Sequence, residues 1–410
     1  MFKITDYPAM VKNYLHRFED LFSQPQLRHF AEYVTGLIVC DKATIKQIND
    51  SFIGHREYSN KDRFMREVPW PEEEADHRRL ELIKESVGPI NPDKGVVALD
   101  DTFLEKTGKH IDEVGYFYDH TQGRYILGHN MVSSHYVTPG NCFPLGWRLY
   151  LKRDKKDTDF KSKLDLAQEL IEQALSVGLP FKTVVFDAWY LSKKLVKYIE
   201  SKSLHWVGAA KSNRTIIVGG QKMRLDAFSQ SLNRSDFKKI DIKETTYYCF
   251  TKTVRMSKLG KVRLLIFHEK ADVSDDPTYL VTGNLRWEAR RMLRIYKSRW
   301  QIETFYRDAK QNLGLEDYEM RDLLGIKRHW YLVFLSYTLL TLGSLDRSLR
   351  KWVNANARTI GEKCRWSTSE IIRNFTLWVL KQSSLNRSTD EIFTIIFSSR
   401  AKIGQRFQIA

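Results

Sequence analysis

The chain has 410 residues, 42% of them hydrophobic, and carries 66 Lys and Arg against 50 Asp and Glu, a formal net charge of +16. That composition is ordinary for a globular protein with a large core, and the length allows one to three domains. The positive surplus favours a polyanionic partner, nucleic acid first, over an anionic membrane surface, which needs an anchor or a basic amphipathic helix.

Residues 1 to about 90 read as helical. Phe30 to Val39 is a mostly apolar helical segment. Asp41 can cap a helix through Ile45, Ile48 and Phe52, which Gly54 breaks. Ser59 can cap the next helix, with Asp62 three residues on. Two short helices around a turn resemble a helix-turn-helix. Val96 to Leu99 then reads as a buried strand ending in Asp100-Asp101. Tyr125 to Val137 and Phe143 to Leu151 are β-rich and joined by a turn at Pro139-Gly140-Asn141. Leu164 to Val177 is an amphipathic helix stopped by Gly178. Thr183 to Phe186 is a second buried strand, ending in Asp187, and Leu191 to Ser203 is helical.

This order, β-β-β-α-β-α, is that of a ribonuclease H-like core. His205 to about Leu280 is mostly β, and from Arg286 onward the chain is helical. The expectation is an α/β fold: a ribonuclease H-like mixed-sheet core with a β-rich insertion, plus helical N- and C-terminal regions. The expected boundaries are a helical N-terminal DNA-binding domain (1–90), the first part of the core (91–204), the insertion (205–285), the second part of the core (286–345) and a helical C-terminal region (346–410).

The start of the chain has no apolar stretch of signal-peptide length. The apolar run Trp330 to Leu345 is shorter than a bilayer requires and reads as a buried helix. Cys40, Cys142, Cys249 and Cys364 are scattered, which argues against a zinc ribbon or a disulfide framework and fits a reducing cytosol. No G-x-x-x-x-G-K-[ST] and no HExxH occur. His110, His120, His129 and His135 lack a zinc spacing.

The chemistry concentrates in RIYKSRWQIETFYRDAKQNLGL. Read as one helix at about 100° per residue, it places Tyr296, Arg299, Glu303 and Lys310 within a stripe of roughly 60°. One acid thus projects among an aromatic hydroxyl and two cations. Carboxyl ends of adjacent strands converge on one edge of an α/β sheet, so an acid of the Asp100-Asp101 pair, Asp187 and Glu303 are expected to meet. Asp100 and Asp101 face opposite ways on a strand, so one is the ligand and the other a cap or supporting acceptor. Oxygen donors without His or Cys select Mg²⁺ or Mn²⁺. Two such ions about 3.5–4 Å apart can activate water or a 3′-hydroxyl at phosphorus. Arg286, Arg290, Arg291 and Arg294 approach Tyr296, Lys106 and Lys109 follow the first acids, and Lys193 and Lys194 follow Asp187. Together these cations fit a DNA path.

Tyr296, Arg299, Glu303 and Lys310 match the Tyr-x2-Arg-x3-Glu-x6-Lys signature of bacterial insertion-sequence transposases of the Asp-Asp-Glu type. LDDTFLEKTGK (Leu99 to Lys109) resembles the first-acid motif of that class and VFDAWY (Val185 to Tyr190) the second. DRFMREVPW (Asp62 to Trp70) is similar to the leader of one subset. The resemblance spans most of residues 25 to 345. It implies an enzyme that cuts DNA at transposon ends and joins 3′-hydroxyl ends to a target. It also implies Asp101 as the first ligand, with Asp100 in reserve, beside Asp187 and Glu303 as catalytic and metal-binding acids. Tyr296, Arg299 and Lys310 would contact phosphates, and Arg290, Arg294, Lys106 and Lys109 would bind DNA. Some relatives stack a flipped base on a Trp, for which Trp206 and Trp287 are the candidates.

Double-stranded DNA, two Mg²⁺ ions with Mn²⁺ substituting, a homodimer that holds two transposon ends, no ATP, no membrane and a bacterial cytoplasmic, nucleoid-associated location follow as expectations. The competing readings are a ribonuclease H-like nuclease that never joins strands, a catalytically inactive DNA-binding regulator, and a membrane-surface protein.

Overall fold

In the computed structural model, which describes residues 3–54, 57–119, 122–152, 160–345 and 357–398, the chain divides into two units. One comprises Met1–Gly88, Leu104–His129 and Tyr306–Ala410, the other Pro89–Phe103 and Asn130–Phe305. His120 and parts of the expected C-terminal region, 346–356 and 399–410, lie outside the described residues.

The first unit begins with helices α1 (Ala9–Leu15), α2 (Gln24–Val39), α3 (Ile45–Ser51), α4 (Tyr58–Arg66) and α5 (Glu72–Val87). A capping box of Ser23 and Gln26 starts α2, and Leu27, Phe30, Val34, Leu37 and Ile38 form its buried face. Thr44, not Asp41, caps α3; its hydroxyl accepts from the Gln47 N–H at 3.2 Å. Ser59 lies inside α4 and does not cap it, because the helix starts one residue earlier and Asp62 pairs forward with Arg66 at 3.0 Å.

In the second unit β1 (Val96–Glu105) extends well past its expected end. The short strand β2 (Gly115–Asp119), additional to the expected elements, pairs in the first unit with the opening residues of β3 (Arg124–Thr138). β4 (Asn141–Tyr150) returns along β3 after a turn in which Gly140 takes φ 96°. Helix α6 (Lys163–Val177) opens on a Ser162–Asp165 capping box and ends at left-handed Gly178. β5 (Thr183–Phe186) is wholly buried and runs parallel to β1, with Leu99 opposite Phe186. Helix α7 (Lys193–Ser201), capped by Ser192, leads to β6 (His205–Ala209), parallel to β5.

β7 (Thr215–Val218), β8 (Gln221–Arg224), helix α8 (Leu225–Gln230), β9 (Lys238–Ile242), β10 (Thr245–Met256), β11 (Gly260–His268) and β12 (Thr278–Thr282) follow. The strand order β3-β1-β5-β6-β12-β11-β10-β7-β8 makes one mixed sheet, with β4 on β3 and β9 on β10. Helices α9 (Ala289–Ser298) and α10 (Trp300–Asn312) come next.

The first unit then resumes. α11 (Leu323–Leu345) is buried from Arg328 to Gly343, as the apolar run implies, and packs on α2, α4 and α5. Capping boxes start α12 (Ile360–Ser384) at Thr359 and α13 (Thr389–Phe397) at Ser388. A mixed sheet with helical terminal regions is the α/β architecture expected from the sequence. Among the described residues no helix is long and apolar enough to cross a membrane.

Gly208 on β6 lies where an added Cβ would come within 2.4 Å of the Phe186 ring, which stacks near Trp206 with centroids 6.2 Å apart. Gly208→Ala is therefore expected to overpack the residue preceding Asp187 and cost about 1–3 kcal/mol. Urea unfolding should show a lower midpoint at unchanged m-value.

Candidate active site

β5 ends opposite Leu99, so on that side Asp100 is the first residue of β1 without a ladder partner, and Asp187 follows directly from β5. The two carboxyls thus stand side by side. Burial raises the Asp100 carboxyl to about 7; Arg299 opposes this, while Asp187 and Asp101 add to it. Asp187 is also raised, by burial first and by Asp101, against N–H donation from Tyr190 and Trp189. One guanidinium joins strand and helix: Arg299 Nη1 donates to Asp100 Oδ2 at 2.6 Å, and Nη2 donates to Glu303 Oε1. Burial opposes the charge on Arg299, but Asp100, Tyr296 and Glu303 together hold its pKa above the ordinary value. Tyr296 lies beside it, with the guanidinium carbon 5.5 Å from the ring centroid.

The expected single helix is two. α9 ends at Ser298, and Arg299 is the joint before α10. Its N–H donates to Tyr296 O at 3.0 Å and its carbonyl accepts from Ile302 N–H at 2.9 Å, three-residue steps that tighten the chain here. Arg299 still reaches Tyr296 and Glu303 on its own stretch of chain, and Asp100 on β1. Lys310 falls in the first unit, where it pairs with Glu316 at 2.7 Å.

Asp101 faces other partners. Lys163 Nζ donates to it at 2.6 Å, Tyr190 Oη at 3.0 Å and Asn130 Nδ2 at 3.1 Å. These donors come from α6, the β5–α7 loop and β3. The sequence puts Asp101 first and Asp100 in reserve; the side chain that shares Arg299 with Glu303 is Asp100. Lys163, Tyr190 and Asn130 were not legible in the sequence, since each acquires its role through a contact 29 to 89 residues away. Trp189, half exposed, donates its N–H to Asp187 Oδ1 at 2.9 Å; its only sequence signal is its place two residues after the acid.

Other candidates are scattered in role. Arg290 donates to Asp241 O at 2.7 Å, while Arg286 and Arg294 are exposed. Arg291 stacks on Trp287 and pairs with Asp93, and Lys194 pairs with Asp165. Trp206 and Trp287 are buried, 2% and 6% exposed, and Trp206 Nε1 donates to Glu200, so neither offers a face to a flipped base. In the first unit Lys109 is exposed, whereas Lys106 donates to the Glu316 and Tyr318 carbonyls and lies 3.3 Å over the Tyr318 ring. His129 bonds Tyr318 and His135 bonds Ser133, as ordinary core histidines do.

Among the described residues no three His, Cys, Asp or Glu side chains stand close enough to hold a metal ion. The reason is visible in the pairing: Arg299 occupies Asp100 and Glu303, and Lys163 occupies Asp101. The donor chemistry is nonetheless oxygen alone, and buried neighbouring carboxyls call for a compensating cation.

The sequence matches the family described as DDE superfamily endonuclease over residues 17–227, and the archaeal transposase family ISC1217 over residues 146–351. It is 23% identical over 323 residues to the probable transposase for insertion sequence element IS701 of Microchaete diplosiphon, covering 76% of this chain and 81% of that protein. Among solved structures, the piggyBac transposase synaptic complex with hairpin DNA superposes with a TM-score of 0.50 at 11% identity, over 91% of this chain and 76% of that one. That likeness speaks for the fold.

Burial lowers the Lys106 ammonium from 10.5 to about 8, against Glu316, Asp317 and Glu319, which raise it. Across that window the unfolded chain holds a proton that the folded chain has released, so this group's contribution to stability rises with pH. Wild type is expected to gain stability relative to Lys106→Met between about pH 8 and 10.5. Denaturant melts at stepped pH would show the difference, and parallel curves would count against it.

Proposed function

This chain belongs to the DDE superfamily endonucleases, and from that premise we propose that it is a cut-and-paste DNA transposase. In this reading it binds the terminal inverted repeats of an insertion sequence, cleaves the DNA there and joins the 3′-hydroxyl ends to target DNA. One observation carries the assignment of the site: Arg299 holds Asp100 and Glu303 on a single guanidinium, beside Asp187.

Asp100, Asp187 and Glu303 would hold two Mg²⁺ ions, with Mn²⁺ substituting, and these would supply Lewis-acid activation of water and then of a 3′-hydroxyl. Arg299 is then the group that exchanges partners. When a phosphate enters, its fork can leave the carboxylates for the phosphate oxygens, a bidentate match of the same geometry. Tyr296 steadies that cation. Asp101 acts through others: it fixes Lys163, Tyr190 and Asn130, and so holds the loop bearing Asp187 against β1. Arg290, Arg294, Lys109, Lys106 and Lys310 are proposed as sequence-independent backbone contacts. Arg294 and Lys109, being exposed, are the readiest of them.

The substrate is double-stranded DNA. A homodimer would bring two ends together, without ATP, in the bacterial cytoplasm on the nucleoid.

The test is strand cleavage and strand transfer with duplexes carrying the repeats that flank the gene, in Mg²⁺. Asp100→Asn, Asp187→Asn and Glu303→Gln should each lower cleavage by at least about 10²-fold. Asp101→Asn should lower thermal stability yet keep cleavage within about tenfold of wild type, as positioning rather than ligation implies. Wild-type cutting by Glu303→Gln would overturn the site. Loss in Asp101→Asn with retention in Asp100→Asn would exchange the two acids.

A further inference from the structure

The far end of the mixed sheet has a composition that the proposed chemistry does not use. Strands β7, β8, β10 and β11 contain no Asp and no Glu. They carry Lys222, Arg224, Lys252, Arg255, Lys261 and Arg263.

Register aligns these cations. Arg255 lies opposite Lys261 on one side and Ile217 on the other, and Ile217 lies opposite Lys222. Directly opposed residues of antiparallel strands share a face, so Lys261, Arg255, Ile217 and Lys222 form one transverse row across four strands. All four are exposed. The next positions on that face are Arg263 opposite Thr253 and Thr215 opposite Arg224. The alternate residues Ile216, Val254, Met256 and Val262 are buried, which fixes the cationic face as the outer one. Arg224 pairs with Asp226 and Arg263 bonds the Thr251 hydroxyl. Among the described residues, Lys222, Arg255 and Lys261 have no carboxylate partner.

This arrangement costs stability. Like charges directly opposite on a sheet repel, and Arg255 faces Lys261. A face kept soluble by charge alone could intersperse acids at no loss. Uniform sign along a row is what a polyanion needs. Three strand spacings of about 4.8 Å make the row about 14 Å long. One strand of a duplex carries a charge every 3.4 Å or so of axis, so the row matches about four phosphates. The threonines interleaved with the cations add hydroxyl donors of the kind that bond phosphate oxygens.

We infer that the outer face of β11-β10-β7-β8 grips the phosphodiester backbone of duplex DNA. The inference deepens the transposase reading and rests on it, adding a surface to the acid site. The contact is independent of sequence.

The experiment uses the full chain without divalent metal and a random-sequence duplex of about 30 base pairs. Affinity is measured over a range of salt for wild type and for the triple variant Lys222→Ala, Arg255→Ala, Lys261→Ala. Three lost phosphate contacts should lower the slope of log K against log salt by about 2.7 and weaken binding at least about tenfold near 0.1 M salt. A comparison triple, Lys84→Ala, Lys197→Ala, Lys270→Ala, removes the same charge elsewhere and should change the slope by less than about one.

An unchanged slope in the first triple, with its thermal unfolding intact, overturns the inference, as does an equal loss in both triples. Should the first triple unfold, single charge reversals Lys261→Glu and Lys222→Glu give the same readout. Cleavage of end-bearing DNA by wild type is scored separately. If wild type cuts and the first triple keeps the wild-type slope, the inference alone fails. If wild type neither binds nor cuts, the transposase reading fails with it.

Discussion

The site depends on one guanidinium. Asp100 and Glu303 are brought together from positions about 200 residues apart and meet on Arg299. Burying a carboxylate without a partner is costly, and burying two beside a third is worse. Arg299 answers that cost with a planar fork that satisfies one oxygen on each acid. The parallel register of β1 and β5 sets Asp100 next to Asp187, and the joint between α9 and α10 turns Arg299 toward both acids. Removing the cation would leave part-buried carboxylates of one sign without a counter-charge.

The tandem acids show how a strand's two-residue period divides labour. Asp100 turns toward Arg299. Asp101, one residue on, turns toward Lys163, Tyr190 and Asn130, and so ties α6, the β5–α7 loop and β3 to β1. Of these donors Tyr190 lies on the segment that follows Asp187, and its hydroxyl ties that segment to β1. The contact with Arg299 and the anchoring of these elements thus sit on adjacent residues that face opposite ways.

Net charge alone does not locate a binding surface in this protein. Many of its cations are spent on ion pairs: Arg17 with Glu85, Arg78 with Asp20, Lys194 with Asp165, Lys202 with Glu172. Others are buried, as Lys61 is against Glu32. The acid-free strands at the end of the sheet differ because pairing register sets their cations in a row.

Local signals were legible in the chain itself. Ser162 with Asp165 marks the start of α6, Gly178 marks its end, and the apolar run before Asp187 marks a buried strand. Tyr296, Arg299 and Glu303 stand three and four residues apart, a spacing that brings side chains together along helical backbone and survives the tightened joint at Arg299. Composition already implied a large core and favoured a polyanionic partner. The tertiary structure decided which of Asp100 and Asp101 meets Arg299, buried Trp206 and Trp287 out of reach, engaged Lys106 with backbone carbonyls, and recruited Lys163. Each of these outcomes rests on strand register or on contacts tens to hundreds of residues apart. Periodicity along a sequence states which residues share a face; only the packed chain states what that face meets.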